Sequence, residues 1–428
     1  MKKALLLAAM IVTLVATGAF ANGQSESSKP VVNLSFFTGK AETVAWMNSV
    51  IAKFNAANPG IQVTQEYQKD ASNAVKVKFA SGDVPDITAT QVPQEFIDQG
   101  LYTDLSNEPF WANILPSVKE LCTDIKSGKQ YMVATNVTTA GIFYNKTIFS
   151  ELNLKPAYTW SGFVQNLETI KEKKPGVVPL FLGGKDSWTL GHLIEFLAHG
   201  IIKQQYGISG SRKAFIYNEQ NELQFASPSG PMAVFARDLL ELQQKGLINS
   251  DAVTATYDNQ KNEFAAGKVG MISQGMWVLG DLLKINPDVK NWIGFSAFPA
   301  IENNTKPVTL SAEDSTYALP SASKHHAEAI AFLDYLFSPE NQKSYSELLK
   351  EPSAFTNVNA DWGPIKDQVA EALKVGVNIP FTPWPSGFSG DDAGRMVQEL
   401  LIGQYKSPTD FAKAYADAWN KAWNSAHN

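Results

Sequence analysis

Cysteine is almost absent from this 428-residue chain, which contains it only as Cys122. A disulfide framework is thereby excluded, and Cys122 is expected to be a buried, unpaired thiol. Arginine is nearly as scarce, occurring as Arg212, Arg237 and Arg395. There is no sustained basic run and the formal net charge is −6 at pH 7, so the chain lacks the phosphate-neutralising surface on which nucleic-acid binding rests. The charge falls to about −8 if Lys2 and Lys3 leave with an N-terminal leader. Beyond the first residues, no stretch approaches the roughly 20 apolar residues that a membrane helix needs. Nor does the chain carry a G-x-S-x-G elbow, a Walker A loop, a G-x-G-x-x-G turn or a C-x-x-C pair, the patterns that would announce a nucleophile, a nucleotide or a redox dithiol.

What is present begins with an address. Lys2 and Lys3, an apolar run from Ala4 to Val15 and the small-x-small triplet Ala19-Phe20-Ala21 read as a secretory signal peptide over residues 1–21. The polar residues 22–30 lack the apolar side chains needed to join a core and are expected to form a disordered leader. The remaining length exceeds what one hydrophobic core supports, so two domains are expected.

The mature chain alternates strands with helices. Val31 to Phe37 alternates apolar positions, Thr38-Gly39 breaks the strand, and Val44, Met47, Ile51 and Phe54 then recur at helical spacing. Ile61 to Tyr67, Ala71 to Ala80 and Ile87 to Thr90 continue as strand, helix and strand. The same grammar restarts after Lys146, with helices from Trp160, Trp188 and Pro231 and strands at Val177, Val269 and Ile293. Alternation of this kind implies an α/β fold with mostly parallel sheets flanked by helices. Phe411, Tyr415, Trp419 and Trp423 recur at spacing four and read as a packed seam rather than a ligand site.

Ionisable clusters offer little chemistry. His325 and His326 are adjacent and diverge by about 100° on a helix. His192 and His199 lie about 10 Å apart along a helix, too far for one metal ion even with Glu195 between them. Asp83 and Asp86 flank a turn, and Asp391-Asp392 suits a helix start. Neither pair requires the two-carboxylate arrangement of a glycosidase. No metal and no cofactor is expected, and a secreted glycoside hydrolase is the minor alternative.

Five segments, in order along the chain, carry a family resemblance: Phe79-Ala80-Ser81-Gly82-Asp83-Val84-Pro85-Asp86-Ile87; Tyr144-Asn145-Lys146; Thr159-Trp160 through Phe163; Phe264-Ala265-Ala266-Gly267-Lys268 through Trp277; and Ala318-Leu319-Pro320 through Gln342. The chain resembles the extracellular solute-binding proteins of ABC importers, in their sugar-binding branch of maltose and oligosaccharide type. The resemblance implies two lobes with a hinge, the first formed by residues 31–138 and 312–352, the second by residues 139–311 and 353–428. It also implies crossings near Val137 to Ile142, Leu310 to Asp314 and Pro352 to Phe355, and a monomer that closes on a mono- or oligosaccharide and delivers it to a membrane permease. Many relatives are lipoproteins with a cysteine at the cleavage point; Asn22 stands there in this chain, which implies a soluble periplasmic protein.

A sugar presents an apolar face and a rim of hydroxyls, so its site combines aromatic platforms with amides and carboxylates. By resemblance, Trp277 after Gly275-Met276, Trp384 in the proline-rich Pro380 to Pro385 segment, and Trp188 in a second-lobe loop are the candidate platforms. Polar partners are expected where open α/β sheets bind ligands, beyond the carboxyl ends of strands. Thr38, Gly39, Gln91 and Asp186 fit that rule, joined by Asn136, Thr138, Glu313 and Asp314 at the crossings. The family often has an acidic residue near Gln91, which leaves the sugar open. A polyamine, held by Asp186, Glu313 and Asp314, and a glycerophosphodiester are the alternative solutes, the latter disfavoured by the few arginines.

Overall fold

The computed structural model describes residues 30–301 and 305–427. The expected signal peptide and the leader as far as Lys29 lie outside the described residues.

The first sheet is parallel, with β1 (Val32–Thr38) between β2 (Ile61–Tyr67) and β3 (Ile87–Ala89). Helix Val44–Ala57 crosses from β1 to β2 and buries Met47, Val50, Ile51 and Phe54. Helix Ala71–Ser81 returns the chain to β3 and stops at Gly82, whose φ of 78° is left-handed. Asp86 then closes the turn as a structural group: its carboxylate accepts from the Ser35 amide at 2.8 Å, the Ser35 hydroxyl at 3.0 Å and the Ser323 hydroxyl at 2.6 Å. Leu34, Phe36, Phe54, Ile87, Leu319 and Phe332 belong to the core beneath this sheet.

The second sheet departs from the parallel expectation. Its centre is β4 (Val133–Asn145), antiparallel to β6 (Val269–Gly275), to β7 (Ile293–Ser296) and to β8 (Val308–Tyr317). Only β5 (Val178–Phe181) on β6 and β9 (Val377–Ile379) on β8 are parallel pairs. The cause is that the first two crossings are themselves strands. β4 leaves the first core at Val133 and enters the second at Ala140, while β8 runs back beside it from Leu310 to Tyr317. Two neighbouring strands that traverse the hinge in opposite senses pair as an antiparallel ladder.

The helix expected from Trp188 is helix Trp188–Leu193, a π turn at Ile194–Ala198, and helix His199–Ile216 with a break at Gly207. The terminal helix Pro408–His427 docks its aromatic stripe on the second core, with Phe411, Tyr415 and Trp419 all 0% exposed. Among the described residues no helix is long and apolar enough to cross a membrane.

Candidate ligand-binding site

Between the two cores lies a cavity of about 870 Å³, lined from both sides, a size within the usual range for small-molecule sites. Its second-core wall is aromatic. Trp277 opens the helix after β6, and Gly275 is needed beneath it, because a Cβ there would sit 2.1 Å from the indole ring. The indole N–H donates to Gln274 Oε1 at 3.0 Å, Gln274 donates to Gln260 Oε1 at 2.7 Å, and Gln260 donates to the Phe181 carbonyl at 2.7 Å. This buried chain of amides fixes the ring plane. Trp188 meets Tyr257 edge-on at 4.9 Å, and His192 fills the corner between Trp188 at 5.3 Å and Trp277 at 5.4 Å. Trp384 forms a separate platform, half-buried against His199 at 5.2 Å and Trp419 at 5.8 Å.

The first-core wall and the hinge supply polar groups. Lys40 forms an ion pair with Asp314 and lies 3.1 Å from Ser315 Oγ, to which the Tyr345 hydroxyl donates at 2.8 Å. Glu313 Oε2 is out of solvent and has no hydrogen-bond partner among the described residues. Burial pushes that carboxyl up to about 7, so near neutral pH it can either donate or accept. Asp186 accepts from the Tyr257 amide at 2.8 Å and pairs with Lys69, which belongs to the first lobe's β2–helix connection. That pair bridges the mouth of the cleft. Lys261 sits 4.4 Å from the Tyr257 ring centroid and pairs with Asp258 at 3.0 Å and Asp281 at 2.9 Å.

Nine of the residues singled out from sequence line this cavity: Thr38, Gly39, Gln91, Asp186, Trp188, Trp277, Glu313, Asp314 and Trp384. Gly39 meets the first turn of helix Ala71–Ser81 so closely that a Cβ would lie 2.5 Å from Ala71 Cβ, a packing reason for glycine at that place. Asn136 and Thr138 are not brought to the cavity. Both are 0% exposed in β4, opposite Asp314 and Ala312, and Thr138 donates to Glu351 Oε1 at 2.6 Å. Placing them at the ligand is corrected: the crossing is a paired strand, neither residue lines the cavity, and the Thr138 hydroxyl is taken up by Glu351.

Lys40, Tyr257, Lys261, Asp281 and Tyr345 also line the cleft without having been singled out from the sequence, as does His192, which the sequence raised only as a rejected metal ligand. Lys40 was within reach of the strand-end rule, one residue past Gly39. Tyr257 follows Thr256, whose capping box with Asn259 marks a helix start in the sequence. The others lie on helix faces whose direction only the packing reveals. Among the described residues no cluster of His, Cys, Asp and Glu could hold a metal ion. Aromatic faces with alternating donors and acceptors around them suit a ligand that is apolar on its face and hydroxylated at its rim.

The model of the bacterial extracellular solute-binding protein family matches residues 39–343. The melibiose/raffinose/stachyose-binding protein MelE of Bacillus subtilis is 27% identical over 366 residues, covering 84% of this chain and 83% of that protein. The multiple sugar-binding protein of Streptococcus mutans is 26% identical over 345 residues, covering 79% of this chain and 78% of that protein. Among solved structures, a sugar transporter protein from Bacillus licheniformis in complex with stachyose superposes with a TM-score of 0.78 at 25% identity, over 91% of this chain and 100% of that one.

Proposed function

Since the chain belongs to the bacterial extracellular solute-binding protein family, we propose that it captures a mono- or oligosaccharide in the interlobe cleft and delivers it to the permease of an ABC importer. The observation that carries this reading is the pairing of indole platforms at Trp188, Trp277 and Trp384 with a first-lobe rim of hydroxyl, carboxyl and ammonium groups in one cavity. The binding residues in this reading are Trp188, Trp277, Trp384, Thr38, Gly39, Gln91, Glu313 and Asp314, with Lys40 and Tyr257 added and Asp186 acting mainly between the lobes.

In this reading the protein is a monomer and makes or breaks no bond. The lobes comprise residues 31–138 with 312–352 and residues 139–311 with 353–428, a division supported by the two separate cores. The leader pattern at residues 1–21 and Asn22 beyond it support release into a periplasm. A polyamine is less well served, because Asp314 and Asp186 already hold lysines.

The test is a thermal-shift screen of residues 22–428 against raffinose, stachyose, maltose, simple hexoses, spermidine and glycerophosphodiesters, since a ligand that binds only the folded state raises Tm. A rise with one sugar class supports the reading and names the class. A rise with spermidine alone, or silence with every sugar, overturns it.

A further inference from the structure

The segment Pro380-Phe381-Thr382-Pro383-Trp384-Pro385 passes along the cleft without helix or strand structure. Its prolines lack an N–H, so it cannot satisfy its backbone by pairing as a strand interior would. Two side chains packed against it do so, and a third meets its one hydroxyl. Lys203 Nζ donates to the Pro380 carbonyl at 2.8 Å, and the Thr382 amide donates to Glu195 Oε1. His199 Nδ1 lies 2.9 Å from the Thr382 hydroxyl, while its Nε2 lies 3.0 Å from the Tyr415 hydroxyl on the terminal helix. Glu195 and Lys203 are 3.7 Å apart. Their spacing of four, through the π turn at Ile194–Ala198, sets all three side chains on one face.

These groups are 1%, 0% and 2% exposed for Glu195, His199 and Lys203, an expensive way to fill a core. Apolar side chains of similar volume generally match or exceed the stability of a buried ion pair. Burial pulls the Lys203 ammonium down to about 8 against the raising effect of Glu195, and it holds the His199 imidazole neutral. Stability alone therefore does not account for them. What they do specify is the path of one segment whose other side carries Phe381 and Trp384 into the cavity.

We propose that Glu195, His199 and Lys203 are positioning residues that fix the Pro380–Pro385 segment so that Trp384 is presented to the ligand as a preorganised platform. The inference rests on the carbohydrate reading for its ligand but not for its geometry. Preorganisation converts into affinity because less ordering remains to be done on binding.

The experiment compares the wild type, Lys203→Met, Trp384→Ala and the double variant, by backbone hydrogen exchange without ligand and by calorimetric titration with raffinose. In Lys203→Met, exchange at the Thr382 amide, which donates to Glu195, is expected to accelerate while the amides of β4 and β6 keep their protection. Raffinose affinity is expected to fall by up to roughly tenfold, the scale set by the cost of ordering a side chain on binding. In the Trp384→Ala background Lys203→Met is expected to cost no further affinity. Unchanged exchange at the Thr382 amide, or affinity losses that simply add, overturns the proposal. Should Lys203→Met not fold, Thr382→Val, which removes only the hydroxyl partner of His199, is judged by the same two readings at smaller amplitude. If the wild type binds none of the sugars of the screen, the carbohydrate reading fails, and the exchange comparison still decides the positioning role.

Discussion

At the scale of single residues, the cleft rests on a few side chains whose surroundings make their roles separable. Trp277 is 8% exposed and held by Gln274, so it can present only part of its face, whereas Trp384 is half-buried and more open. Trp277→Ala and Trp384→Ala are each expected to weaken binding by about 1–3 kcal/mol, as loss of a central aromatic contact does. Calorimetric titration with the sugar identified by the screen checks this, and native affinity in either variant removes that ring from the site. Both tryptophans were singled out through the family resemblance, at Gly275-Met276-Trp277 and in a proline-rich segment, and both line the cavity. Asn136 and Thr138 misled because polar residues at a crossing look like loop residues, while the structure pairs them as strand. Nothing in composition distinguishes a hydroxyl that meets a ligand from one that donates to a buried Glu351.

At the scale of elements, the first lobe was the more readable. Its strands and helices have clean periodicity bounded by Gly and Pro, and the expected spans agree with β1, β2, β3 and their helices to within a few residues. The second lobe was less so: β4 runs 13 residues through Thr, Asn and Gly, and β9 is 3 residues long. β4 is held by neighbours on both sides and β9 by β8 alone, so their identity lies in pairing rather than in pattern. The terminal helix was read correctly as a seam from its aromatic spacing. Phe411 is 0% exposed, packs on Phe235 at 6.3 Å and Tyr405 at 5.4 Å, and does not line the cleft. Phe411→Ala is therefore expected to cost about 3–5 kcal/mol of stability through the cavity it leaves. Urea unfolding checks the loss, and titration of the folded variant with the same sugar is expected to return wild-type affinity. A selective affinity loss with unchanged unfolding contradicts the seam.

For the molecule as a whole, two charge arrangements span the lobes and act differently. The Lys69–Asp186 pair joins them at the cleft mouth, but the Lys69 side chain is 72% exposed, and such pairs contribute at most about 1 kcal/mol. Lys69→Ala is accordingly expected to change sugar affinity less than about fivefold at low salt, leaving closure to be driven by contacts that the ligand makes with both lobes. A larger loss, measured by titration across salt concentrations, makes the pair a principal latch.

The carboxyls at the hinge reach further. Burial raises Glu313 to about 7 and pushes Glu351 upward as well, even with Lys40 nearby. A carboxyl whose folded pKa lies above its unfolded value binds more protons when folded, so stability is greatest below the unfolded pKa and falls as pH rises towards the folded one. For Glu313 the window runs from about 4.5 to about 7, the reverse of the usual effect of a salt-bridged carboxylate, and spans on the order of 3 kcal/mol. Glu313→Gln keeps the size and hydrogen-bonding capacity of the group without its titration. Denaturant unfolding from pH 5 to pH 8 is expected to show stability declining less steeply in Glu313→Gln than in the wild type, the remaining slope belonging in part to Glu351. Equal slopes in the two proteins assign Glu313 an ordinary ionisation, and with it a permanently charged carboxylate facing the ligand.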